Sequence, residues 1–208
     1  MLEFKGKSKI FIVEDAVTEA RNHLKTATLF KHKRLDHELS ALRLGEVDDY
    51  LTFLVFNAPV LSLERALEDA GVGLELPDWP LRARADALRA DLASLGVRGL
   101  DEAPETALPN LADPAARLGL AYVLEGSRLG AAVLRRTVRA SADGRVLAAT
   151  RFVDHGFGHD LWRGFLARLE PALADPADRD LAARTATWAF DVFLARAEAM
   201  GLTSAPIR

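Results

Sequence analysis

An all-α fold, a single-domain helical bundle, is what the sequence predicts, on three observations. Apolar residues recur at three- and four-residue steps through most of the chain. Helix-start and helix-stop residues punctuate those stretches at short intervals. Alternating strand patterns are almost absent, so there is little to build a sheet from. With 208 residues, half of them hydrophobic, one domain can bury a sizeable core.

The expected division is an N-terminal arm over 1–13, a helical domain over 14–203 and a tail over 204–208. Within the arm, Ser8 to Val13 reads as a short strand or ordered extension. Helical periodicity begins at Glu14, with Ala16, Ala20, Leu24, Ala27, Thr28 and Leu35 in step. A second helix spans Val47 to Ala70. Tyr50, Leu51, Leu54, Val55 and Ala58 share one side, Pro59 should kink or break it, and Gly71 should stop it. Asp78-Trp79-Pro80 opens a third helix, expected to run to about Gly96. Val97 to Leu111, with Gly99, Pro104 and Pro109, reads as a loop. Asp113-Pro114 is a strong helix start: the carboxylate takes free N–H groups and proline suits the first turn. That helix should reach about Val138. Asp143-Gly144 marks a turn, readable as the tip of a small hairpin. Gly156 and Gly158 mark another loop, followed by helices over His159 to Leu173 and Asp178 to Met200. The end of the chain should fray.

Composition narrows the function. The net charge of −3 gives no electrostatic footprint for nucleic acid. The chain has no cysteine, which excludes a disulfide scaffold, thiolate metal sites and cysteine nucleophiles. No apolar run approaches the roughly 20 residues of a membrane span, and Met1 to Lys9 lacks the apolar stretch of a signal peptide. A cytoplasmic protein without membrane partners is the expectation.

Two segments carry candidate chemistry. In the first, Lys25, Leu29, His32 and Asp36 fall on one helical stripe at steps of four, three and four. An imidazole there can offer one neutral nitrogen to a metal while the other is held by an acceptor, and Asp36 stands one turn on. A partly buried structural histidine among surface lysines is the competing reading. In the second segment, Gly126 and Gly130 sit one turn apart in a helix rich in leucine, alanine and valine. Each glycine costs roughly 1 kcal/mol relative to alanine. Close helix packing or a flat ligand lying on bare main chain would compensate.

Together the two segments resemble the haem oxygenases, the biliverdin-forming type, in their bacterial branch. Leu24-Lys25-Thr26-Ala27-Thr28-Leu29-Phe30-Lys31-His32 is similar to the family's proximal helix. The resemblance makes His32 the axial iron ligand, with Lys25 near a haem propionate and Asp36 at the family's acidic position. Gly126-Ser127-Arg128-Leu129-Gly130-Ala131-Ala132 resembles the distal motif. By this match Gly126, Ser127 and Gly130 form the catalytic distal side, and Ala131 joins the two glycines against the haem. Animal-type members carry an aspartate where this chain has Ser127. Leu161 to Glu170 is similar to the family's late helix, which places Arg163 on a propionate, and Phe190 corresponds to a pocket phenylalanine.

The resemblance implies the haem oxygenase bundle, with haem, as both substrate and cofactor, held between proximal and distal helices. The implied reaction opens haem to biliverdin, carbon monoxide and ferrous iron, using O2 and electrons from an external ferredoxin or reductase. The implied partners extend to a bilin acceptor such as a bacteriophytochrome. Two alternatives stay open on the residues: a haem-binding carrier of the same fold without turnover, and a histidine phosphotransfer module built on His32 between Lys31 and Lys33. Elsewhere, Gly156 and Gly158 spoil a helical metal pair at His155 and His159. His23 and His37 should face solvent. The Arg82 to Arg84 run reads as a solvated helix face.

Overall fold

The computed structural model describes residues 19–100 and 107–202. The arm over 1–13, the expected helix start at Glu14 and the tail over 204–208 lie outside them, as do residues 101–106 of the loop. Ten α-helices form among the described residues: α1 Glu19–Leu39, α2 Val47–Phe56, α3 Pro59–Asp69, α4 Trp79–Arg82, α5 Ala85–Ser94, α6 Pro114–Arg139, α7 Gly144–Ala148, α8 Arg151–Asp154, α9 Leu161–Ala172 and α10 Pro176–Ala199. A 3₁₀ turn at Val72–Leu74 follows α3. No described residue is in a strand, which agrees with the predicted class. No helix among them is long and apolar enough to cross a membrane.

Local chemistry explains most boundaries. Asp113 caps α6, its carboxylate accepting from the Ala115 amide at 2.8 Å. Asp175 caps α10 through the Ala177 amide at the same distance, an Asp-Pro start like that of α6. Gly71 leaves α3 with φ at 84°, the left-handed turn that stops a helix. The stretch from Val47 divides at Asn57-Ala58, just before Pro59, as its lost donor requires.

Two expectations are corrected. Asp143-Gly144 is not a hairpin tip: Asp143 accepts from the Arg145 amide at 2.8 Å and starts the short helix α7. The helix from Asp78 does not run unbroken to Gly96. Ala83 turns to an extended conformation, and Glu64 accepts from the amides of Arg84 and Ala85 at 2.8 and 2.7 Å. A carboxylate from α3 thus restarts the chain as α5, satisfying donors that a helix start leaves free.

Helix α10 is the spine. Its Ala182, Ala186, Ala189 and Ala197 are fully buried, and their small side chains let α6 and α1 pack closely on it. Contacts along α1 and α10 ascend together: Glu19 with Arg179, His23 with Asp180, Lys31 with Asp191, His32 with Phe190. The two helices therefore run parallel. The start of α1 is held by Glu170 of α9, whose two carboxylate oxygens accept from the Ala20 and Arg21 amides at 3.0 and 3.1 Å. Against α6 the closest approach is at Gly119. A Cβ there would lie 2.2 Å from the Ala182 carbonyl oxygen, whereas at Gly130 it would meet nothing within 4 Å. Gly119→Ala should therefore cost about 2–3 kcal/mol by forcing two helices apart, a Tm drop of roughly 5–10 °C. Gly130→Ala should hold or raise the Tm of the ligand-free protein, since alanine is the better helix former. Thermal melts of the two variants check this, and equal Tm values would refute it.

Candidate functional site

Helix α1 presents the histidine. His32 Nδ1 stands 2.9 Å from an Asp36 carboxylate oxygen one turn on. Its ring packs on Phe190, with centroids 5.7 Å apart and planes tilted by 59°. The side chain is still 57 % exposed, and Nε2 makes no hydrogen bond to a described residue. Asp36 thus favours the tautomer with the proton on Nδ1 and leaves the Nε2 lone pair facing outward. Phe190 is buried beneath the ring. Lys25 is exposed on the same stripe, and Leu29 between them is 44 % exposed.

Helix α6 presents the glycines. A Cβ at Gly126 would touch only the Trp162 ring, at 3.9 Å, so neither glycine serves close helix packing; Gly119 does that. Gly126, Leu129, Gly130 and Val133 share a stripe at helical spacing. Leu129 and Val133 are large apolar side chains left 49 % and 74 % exposed. Ala131 lies off this stripe. It is buried with Leu124 and Val138 along the core-facing line, because a seven-residue spacing returns to the same side of the helix.

The two helices meet one turn below these residues, where the Tyr122 hydroxyl reaches the Thr28 side chain. Gly119 lies against Ala182 earlier on α10, so α6 ascends in the same sense as α1. One turn beyond the Thr28–Tyr122 contact, about 5.4 Å, brings His32 and Gly126 to the same level. On α9, Trp162 closes the side, its ring 5.7 Å from that of Tyr122. Next to it Arg163 is 85 % exposed and pairs with Asp160 at 2.9 Å.

Behind the glycine helix lies a buried polar cluster built around Arg82 and Arg84. Arg82 and Arg84 are not a solvated face. They are 0 % and 2 % exposed. Arg82 donates to Glu125 at 2.5 Å, to Asp78 at 2.7 Å and to the Leu161 carbonyl at 2.9 Å. Arg128 donates to Glu125 at 2.9 Å and to the Arg82 carbonyl. Arg84 donates to the Ser127 hydroxyl and, at 3.3 Å, to the Leu124 carbonyl. Its guanidinium also stacks over Phe152 at 4.5 Å. Three guanidiniums thus meet three carboxyl groups, those of Glu64, Asp78 and Glu125. Burial, with the Arg128 cation beside it, pushes Arg84 down to about 9, and it stays charged at neutral pH. Burial raises Glu64, against the pull of Arg84 and the two amides it holds. The one signal for this cluster in the sequence was the pairing of two arginines with an isolated Glu125 inside an apolar helix.

His155 completes the cluster, its Nδ1 3.0 Å from Arg128 Nη1. Burial, then the charges of Arg128 and Arg84, lower it from 6.5 to about 4. It is a neutral acceptor, and no group of three potential metal ligands exists among the described residues. Between those two values the unfolded chain binds a proton that the folded protein refuses. Stability is therefore full above the upper value and falls as pH drops toward the lower one. Allowing for partial exposure, the loss by about pH 5 should be on the order of 1–2 kcal/mol. Thermal melts from neutral to acid pH should show it, and His155→Gln should flatten the dependence. An identical pH profile in the variant would remove this role.

No family model matches the chain. It is 38% identical over 144 residues to a haem oxygenase of Xanthomonas campestris pv. campestris, covering 68% of this chain and 85% of that protein. Against haem oxygenase PigA of Pseudomonas aeruginosa it is 34% identical over 135 residues, covering 64% and 67%. Its fold is similar to the crystal structures of the NO- and CO-bound haem oxygenase from Neisseria meningitidis, with a TM-score of 0.66 over 90% of this chain and 94% of that one, at 22% identity. The structural likeness speaks for the fold, and the 38% relative, matched over most of its length, speaks for descent. The chain belongs to the haem oxygenase family.

Proposed function

We propose that the protein degrades haem, holding the macrocycle between α1 and α6 and releasing biliverdin, carbon monoxide and ferrous iron. The observation that carries this is an exposed His32 whose Nδ1 is held by Asp36, together with a Gly126 at which a Cβ would meet nothing closer than 3.9 Å. The fit is chemical as well as geometric. A porphyrin fills four positions on its iron, so a single imidazole is the protein ligand it needs. The exposed Leu29, Leu129 and Val133 provide apolar surface that a flat hydrophobic ligand would cover.

In this reading each residue has a physical task. Asp36 holds the Nδ1 proton and orients the ring, and Phe190 supports its face. Gly126 and Gly130 would let a flat macrocycle approach the helix without a side chain between. Lys25 and Arg163, exposed at the rim, take the propionates, the guanidinium through paired hydrogen bonds. Ser127 stands at the position of the animal-type aspartate. Its hydroxyl donates to the Leu124 carbonyl at 2.7 Å, so its proton is directed into the helix and away from the ligand. Haem supplies the iron that binds O2 and the ring that is oxidised. Electrons come from a separate ferredoxin or reductase, the product passes to solvent or to a bilin acceptor, and the reaction is placed in the cytoplasm. The haem oxygenase domain covers 14–203.

Haemin titration tests the proposal. One equivalent should bind, with a Soret band characteristic of histidine ligation. Reductant and O2 should then convert that band to the absorption of a bilin. A stable Soret band through many reducing equivalents would make the protein a carrier, and no band at all would sink the haem reading.

A further inference from the structure

The stretch from Leu124 to Gly130 poses a mechanical problem. Gly126 and Gly130 give it no side chains to pack, and Ser127, Leu129 and Gly130 are exposed. Two glycines in a helix loosen it, yet a wall that sets the gap for a flat ligand has to keep its height. What holds this turn comes from behind. The Ser127 hydroxyl lies within reach of two groups at once: it accepts from Arg84 Nη2 and donates to the Leu124 carbonyl at 2.7 Å. Arg84 reaches the same carbonyl at 3.3 Å. Arg84 is buried, its guanidinium stacks over the Phe152 ring, and its backbone amide donates to the Glu64 carboxylate. One turn is thus tied to a buried cation through the Ser127 hydroxyl, with a longer direct contact at the Leu124 carbonyl. On either side of it, Glu125 and Arg128 are anchored to Arg82.

We infer that Arg84 is a positioning residue for the glycine wall, acting through Ser127, and that this serine is a mechanical pin in place of a proton donor. The inference rests on the proposed haem slot only for its consequence. A wall free to shift would no longer bias which edge of the ring is attacked.

The pin is tested first in the haem-free protein, by amide hydrogen exchange over residues 126–131. Ser127→Ala should speed exchange there by about tenfold, and Arg84→Met by at least as much. Ser127→Thr, which keeps the hydroxyl, should stay within about twofold of the parent. Unchanged exchange in Ser127→Ala, or equal loosening in Ser127→Thr, would overturn the pin. Ser127→Ala removes one hydroxyl from a residue that is itself exposed and keeps the reading available should Arg84→Met fail to fold. The second arm uses the haem-loaded protein. Ser127→Ala should retain its Soret band while the share of minor bilin isomers rises at least threefold, and Ser127→Thr should not. An unaltered isomer pattern on a loosened helix would refute the link to the reaction. A parent protein that takes up no haemin would sink the slot, a result on which the exchange arm does not depend.

Discussion

His32→Ala is expected to lose the histidine-type Soret band and to stop haem turnover, with both partly restored by added imidazole. In the proposed slot Asp36 lies on the Nδ1 side of the ring and supports it without replacing it. The loss should exceed the roughly 10–100-fold that follows removal of a residue supporting a metal ligand, which is the effect expected of Asp36→Ala. The fold should barely register the change. The His32 side chain is 57 % exposed, and surface substitutions of that kind usually stay within about 0.5 kcal/mol. The two measurements separate ligand from scaffold: absorption spectra with and without imidazole, and a thermal melt. An alanine variant with the parent spectrum and normal turnover would place the iron ligand elsewhere.

Glu125→Ala should produce the largest loss of stability of any single change considered. The carboxylate is 1 % exposed and pairs with both Arg82 and Arg128. Its removal leaves the Arg128 guanidinium without a carboxylate partner and Arg82 with Asp78 alone, the two cations facing each other. Breaking a buried pair in this way costs about 3–5 kcal/mol, more than the pair contributes relative to an apolar replacement, because an uncompensated charge stays buried. At 2–4 °C per kcal/mol for a domain of this size, Tm should fall by roughly 10–15 °C. The exposed pair Arg163–Asp160, at the same nominal separation of 2.9 Å, sets the contrast: solvent screens it, and losing it should cost under about 1 kcal/mol. A Glu125→Ala melt within 2–3 °C of the parent would show that the cluster is solvated and carries no such load. Because Glu125 adjoins Gly126, the destabilised variant should also bind haemin more weakly.

Much of the proposed site is legible along the chain because its information is local. The stripe Lys25, Leu29, His32, Asp36 follows from helical spacing alone, and the 2.9 Å contact between His32 and Asp36 is an i,i+4 pair that any regular helix makes. The glycine pair announced itself by its cost. What the pattern left undecided was its purpose, since packing and ligand approach both call for missing side chains. Space around each residue narrows it: Gly119, not weighed from the sequence, is the packing glycine, and Gly130 is open, as the proposed ligand approach requires. Ala131 shows the opposite failure. It neighbours the motif in sequence, but its angular position turns it into the core.

Periodicity, caps and breakers are written within four or five residues of where they act, so the chain alone prescribes an all-α bundle, the Asp113 start, the break at Pro59 and the two helices of the proposed slot. Burial of charge is not written that way. Whether Arg82 and Arg84 face water depends on Glu125 and Ser127, each 43 residues further on, and on a carbonyl 79 residues away. A guanidinium enters a core when distant partners arrive together to neutralise it, and that coincidence exists only once the helices have packed.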